Sequence, residues 1–172
     1  MSVEPLLLRA TPADVQGLRA APASAADFVE DRWDERGRTW PPSAAPPDPS
    51  RMLLLDEYAF WLLGGFADET ALGQATTGDD LPPIEGAAHG HGLVRVREPD
   101  DVARLAAELA AVSPAALRRI FEARADDFRL AAAGHLADDD AILAFQARCL
   151  ARLQALHAAA AADGDAVLHL LL

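Results

Sequence analysis

The chain has 172 residues, a length that suits one hydrophobic core and argues against two independent ones. A formal net charge of -12, with 15 basic residues that are all arginine, argues against a general role on nucleic acid or anionic membrane. Cys149 is the only cysteine, so an intrachain disulfide and a thiolate metal cluster are both excluded. The absence of lysine, beside an excess of alanine, aspartate, proline and leucine, reads as a bias towards G+C-rich codons. It lowers what any single arginine says about function. No basic region followed by an apolar run opens the chain, and no stretch is apolar for long enough to span a bilayer. The expected location is therefore the cytoplasm.

In chain order, Leu6-Leu7-Leu8, entered from Val3, predicts a short buried strand. Thr11-Pro12-Ala13-Asp14 then predicts a helix start, with a capping hydroxyl, a proline in the first turn and an acid beside the free amides. Ser24-Ala25-Ala26-Asp27 repeats the signal for a second helix carrying Phe28 and Val29 and ending near Arg36-Gly37. Pro41, Pro42, Pro46, Pro47 and Pro49 predict a surface loop at about 40–50, within one domain spanning 1–172. Trp33 and Trp40 are expected to pin that loop to the body. Met52 through Phe66 is nearly continuous apolar sequence ending in Gly64-Gly65, and its length favours a buried helix starting around Leu53 to Asp56. Asp56 and Glu57 are sequence neighbours and would fall on different faces of such a helix.

From Asp68 to Gly92, glycines and prolines break every run, predicting a long irregular segment that could wall a groove. Leu93-Val94-Arg95-Val96-Arg97 alternates apolar and charged residues, the pattern of a half-exposed strand. Glu98-Pro99-Asp100-Asp101 starts a helix whose stripe is Val102, Leu105, Ala106 and Leu109. Ser113-Pro114 starts another, with Leu117, Ile120 and Phe121 inward and Arg118, Arg119 and Arg124 outward. Phe128, Leu130 and Leu136 fall in a less periodic region around Gly134. Asp138-Asp139-Asp140 begins the longest helix, over 138–162, with Ile142, Phe145, Cys149, Leu153 and Leu156 on one face. Asp163-Gly164-Asp165 stops it, and Ala166 to Leu172 reads as a closing strand too apolar for a sheet edge. The expected fold is α+β: a single compact domain with a small sheet near 3–9, 93–97 and 166–171 packed against several helices.

Chemistry is sparse. His89-Gly90-His91 places two histidines on one side of an extended segment, but His135, His157 and His169 are scattered and supply no further ligand motif. No metal site, cofactor or catalytic set is expected. The glycines form neither a dinucleotide fingerprint nor a phosphate loop. Cys149, on an apolar stripe, reads as core rather than nucleophile. The three aspartates at 138–140 lack calcium-loop spacing and are explained by their helix start.

The segment Gly90-His91-Gly92-Leu93-Val94-Arg95, followed by Pro99-Asp100-Asp101-Val102, resembles the YfbM-like family of bacterial proteins, the domain of unknown function DUF1877. That family commonly has Gly-Tyr-Gly-Pro, a nearby arginine and an acidic helix start. Gly90, Gly92 and Arg95 match, while His91 stands for tyrosine and Leu93 for proline. Thr11-Pro12-Ala13-Asp14-Val15, Asp27-Phe28-Val29-Glu30, Leu62-Leu63-Gly64-Gly65 and Ser113-Pro114 also fit its layout. The family's histidine in the helix ending at Gly64-Gly65 has no counterpart here, since Asp56 and Phe60 stand at the apparent positions. The resemblance implies a compact α+β fold and no particular activity.

The functional expectation is a non-enzymatic acidic protein-interaction module, immunity-like in its most concrete form, that masks a basic protein partner. The alternative is a small-ligand-binding protein or enzyme using the turn at Gly90, His91, Gly92 and Arg95, joined by Asp79 or Asp80. A concave pocket there favours the alternative, and a flat surface the first.

Overall fold

Strands β1 (Pro5–Ala10), β2 (Met52–Leu54), β3 (Pro83–His89), β4 (Gly92–Arg97) and β5 (Ala166–Leu171) form one antiparallel sheet in the order β2-β1-β5-β4-β3. The structure, a computed structural model, describes residues 4–33, 51–55, 63, 70–78, 80–132 and 134–172. Central placement of β5 answers to its sequence, because a run as apolar as Ala166-Val167-Leu168 must be covered on both faces and both edges. Seven α-helices lie among the described residues: α1 (Pro12–Ala20), α2 (Ala25–Glu30), α3 (Ala71–Thr77), α4 (Pro99–Ala110), α5 (Pro114–Ala123), α6 (Ala125–Ala132) and α7 (Asp139–Asp163).

Strand pleating divides the core in two. Leu6, Leu8, Val94, Val96, Leu168 and Leu170 face one side, where Val15 and Leu18 of α1 and Val29 of α2 cover them. Leu7, Leu53 and Val167 face the other, larger layer, built from Leu72 of α3, Val102, Leu105 and Leu109 of α4, Phe121 of α5, Phe128 of α6 and Phe145, Cys149, Leu153 and Leu156 of α7. Each of these leucines contributes about 1.5–3 kcal/mol by leaving water. Gln154 ties α7 to α4, its amide donating to the Leu109 carbonyl at 2.7 Å, at a helix end where carbonyls have no partner within the helix.

The helix signals operate as chemistry. Thr11 and Asp14 form a reciprocal capping box, Ser113 accepts from the Ala116 amide at 3.2 Å, and Asp138 accepts from the Ala141 amide at 2.8 Å. Gly164 ends α7 in the left-handed region, with φ 69°.

Five expectations need correction. Met52–Leu54 is strand β2 rather than the start of a helix, and it pairs with Leu6, Leu7 and Leu8. An apolar run carries no period, so pairing with β1 decided the outcome. The stretch after Asp68 is not irregular: Thr70 caps α3, Gly78 ends it at φ 64°, and Pro83–His89 is a bulged edge strand with Gly86 at φ 78°. Helix α2 stops at Glu30, short of Arg36-Gly37, and Phe128 sits in the regular helix α6. Strand β4 is less exposed than its alternation predicts. Val94 and Val96 face the α1–α2 layer, while Arg97, on the opposite face, is only 1% exposed. The proline-rich loop at 40–50, Trp40, Asp56 and Glu57 lie outside the described residues; Trp33 is exposed.

Candidate functional site

Strands β3 and β4 are joined through Gly90-His91, with His89 and Gly92 paired across the turn. Gly90 has φ 61°, the positive first position that a type II′ hairpin requires. His89 therefore precedes a tight reversal and His91 lies within it, so the two do not share one side of an extended segment.

The turn bends onto the end of β5. Along β4 and β5 the register pairs Arg97 with Val167 and Arg95 with His169, and its continuation would bring Leu93 opposite Leu171. Instead the His91 amide donates to the Leu171 carbonyl at 2.8 Å. Two residues of β4 are thereby looped out, and the sheet opens beyond the Arg95–His169 pair. The opening is a pocket of about 190 Å³ lined by Thr77, His91, Gly92, Leu93, Arg95, His169, Leu170 and Leu171. Strand ends form its floor, the last residue of α3 its wall, and the hairpin turn its rim.

Arg95 is held in place by its Nη1, which donates to the Leu81 carbonyl at 2.7 Å. His169 is 4% exposed, and neither ring nitrogen has a hydrogen-bond partner among the described residues. Such an imidazole is unusual, since buried polar atoms are nearly always paired. Two residues along β4, on the same face, Arg97 donates through Nη1 to Asp101 at 2.5 Å and through Nη2 to the Gln74 carbonyl at 2.6 Å, while its Nε has no partner among the described residues. His157 of α7 completes the polar group, with Nδ1 2.9 Å from the Leu153 carbonyl. A carbonyl only accepts, so Nδ1 carries the proton and Nε2, without a partner among the described residues, presents a lone pair when the ring is neutral.

Burial lowers the pKa of His157 to about 4, against the carbonyl bond that raises it, and the Arg97 charge adds to the lowering. Burial holds His169 well below the ordinary histidine value too, followed by Arg97 and then His157. Both rings are neutral near pH 7. Asp101 stays below the usual carboxylate range because hydrogen bonds from Arg104 and Arg97 outweigh its partial burial.

Of the residues singled out in the sequence, His91, Gly92 and Arg95 line the pocket, and Gly90 closes its rim against Leu171. Asp80 is exposed and is not part of the lining, and Asp79 lies outside the described residues. Thr77, His169, His157 and Arg97 are additions. A lone histidine in an otherwise apolar strand, and another inside an alanine-rich helix, were the available signals. Two larger grooves carry less chemistry. One, of about 630 Å³, has Arg9 ion-paired to Asp163 and Asp165 and Arg32 to Asp14, while the other lies between α5 and α7 and is largely apolar. Among the described residues no three His, Cys, Asp or Glu side chains converge as metal donors, and no helix is long and apolar enough to cross a membrane.

No protein-family model matches the chain, and no curated protein matches it. Among solved structures, it is similar to YfbM from Escherichia coli, a protein of unknown function, with a TM-score of 0.63 and 13% identity over 100% of both chains. The likeness is one of fold.

Proposed function

We propose that this chain is a small-ligand-binding domain whose site is the pocket between β4, β5 and the end of α3. The observation that carries the reading is His169: a buried imidazole with neither ring nitrogen partnered among the described residues, placed in the lining of a concave opening. Polar groups in such a position cost stability unless something is gained from them, and pockets with a few convergent polar groups are the usual sites of recognition. The cavity of about 190 Å³ suits a ligand of roughly seven or eight non-hydrogen atoms, scaled from a 150 Å³ cavity that holds benzene. Membership of the YfbM-like family, DUF1877, belongs to the same proposal. It is supported by the fold shared with the E. coli protein and by Gly90, Gly92 and Arg95, which form the rim and floor of the pocket.

Amide-resolved NMR with a library of small fragments tests the reading. Binding is expected to shift Thr77, Gly92, Leu93, His169 and Leu170 together. A library that moves none of them would overturn it.

A second reading, an acidic interaction module for a basic protein partner, is favoured by the net charge of -12 and by Leu130, which is 78% exposed beside the exposed acids Asp126 and Asp127. Its immunity-like form predicts salt-sensitive recovery of one basic protein in a pull-down from the native cell. Recovery of none, at low and moderate salt, would count against it.

A further inference from the structure

We infer that the pocket takes a small aliphatic carboxylic acid, its carboxylate lying between Arg95 and His169 and its alkyl part against Leu93 and Leu171. The inference rests on the binding-site reading above and names the ligand class. In a protein whose net charge is -12, the described residues of the pocket lining carry one guanidinium and two imidazoles and no carboxylate. Arg97 stands behind it on the same face, its charge reaching His169 and shared with Asp101. A planar guanidinium next to an N–H-bearing imidazole matches the two oxygens of a carboxylate. Leu93, 43% exposed at the mouth, and Leu171 give an alkyl stem somewhere to lie. The volume of about 190 Å³ matches a short acid.

Binding is coupled to a proton. Among the described residues, the groups around His169 are Arg95 and Arg97 from β4, His157 from α7, His91 from the turn and Thr77 from α3, with Asp101 bonded to Arg97. That surrounding disfavours imidazolium in the free protein, and an arriving carboxylate reverses the balance. One ring nitrogen of His169 then takes up a proton from solvent as the anion binds, so affinity rises as pH falls from 8 to 6.

Calorimetric titration of the full chain with sodium butanoate, and separately with butanamide, tests this. Butanoate is expected to bind saturably and at least about tenfold more tightly than the neutral amide, the scale of one charge-assisted hydrogen bond. Its apparent enthalpy is expected to differ between phosphate and Tris buffers in the sense of proton uptake. R95Q is expected to weaken butanoate about tenfold, and H169Q to abolish the buffer dependence. Should H169Q not fold, R95Q and the two-buffer comparison decide alone. Equal binding of amide and acid, or binding of butanoate without proton uptake, overturns the inference and leaves the pocket reading standing. Failure of both probes, together with a fragment library that shifts nothing at the pocket, overturns both.

Discussion

The imidazole of His169 lies directly over the backbone of Gly78: a β-carbon there would sit 2.5 Å from Nδ1 and 2.7 Å from Cγ. The end of α3 can therefore approach the β4–β5 seam only because residue 78 has no side chain. The same glycine holds φ 64°, a conformation that other residues adopt at a cost. G78A is expected to lose about 1–3 kcal/mol of stability by urea denaturation, from the backbone alone. It should also displace the His169 ring and remove fragment binding at the pocket. Wild-type stability and unchanged amide shifts at residue 169 would contradict the packing.

Gly90 and Gly92 bracket the turn yet should respond differently. A β-carbon on Gly90, at φ 61°, would run into the Leu171 carbonyl that His91 bonds, whereas one on Gly92 meets nothing within 4 Å. G90A is expected to destabilise by about 1–3 kcal/mol and to distort the rim. G92A should stay within about 1 kcal/mol of wild type. Chemical denaturation of the pair checks the contrast, and equal effects would place the strain elsewhere.

Stability should fall in acid through His157. Its folded pKa of about 4 lies below the ordinary 6.5, so the unfolded chain binds the proton first. The contribution is fully present above about pH 6.5 and is lost as pH falls through 4. Over that window the loss approaches about 3 kcal/mol, at 1.36 kcal/mol per unit. Carboxylates titrate there as well, so the wild-type-minus-H157Q difference in unfolding free energy is the quantity to follow from pH 7.5 to 4. A flat difference would mean that His157 is solvated or already charged.

Arg97 is the buried charge of the larger layer. Replacing it with methionine removes the donors to Asp101 and to the Gln74 carbonyl. Asp101 keeps its bonds with Arg104, so the expected loss is about 2 kcal/mol, below the usual cost of breaking a buried pair. Removing a cation that lowers both histidines should raise their pKa values. Histidine NMR titration of R97M reads that direction, and no movement of either ring would separate Arg97 from the cluster.

Much of the scaffold was legible in the sequence because local chemistry and tertiary outcome agree. Thr11, Ser113 and Asp138 cap the helices they were expected to cap, Val102, Leu105 and Leu109 are fully buried, and the apolar run after Gly164 is the central strand. Strands β2 and β3 were not legible. Met52-Leu53-Leu54 has no periodicity of its own, and Pro83 with Gly86 makes β3 look like loop until β4 pairs with it. Arg97 was misassigned for a general reason: arginine is rarely buried, and an alternating strand normally sends its charges to water. Half of the pocket was visible as the glycine-flanked turn. The other half comes from Thr77 and His169, which the sheet order and the return of the chain after α7 bring to that turn.

The state of the His169 ring is the most direct measure of the site. Long-range proton–nitrogen NMR of ¹⁵N-histidine-labelled protein, with and without butanoate, reads the charge of both ring nitrogens. A ring that stays neutral from pH 8 to 6 in the free protein, and moves towards imidazolium on adding butanoate at pH 6, is the expected result. A His169 that titrates near 6.5 in the free protein and ignores butanoate would contradict a buried, neutral binding group.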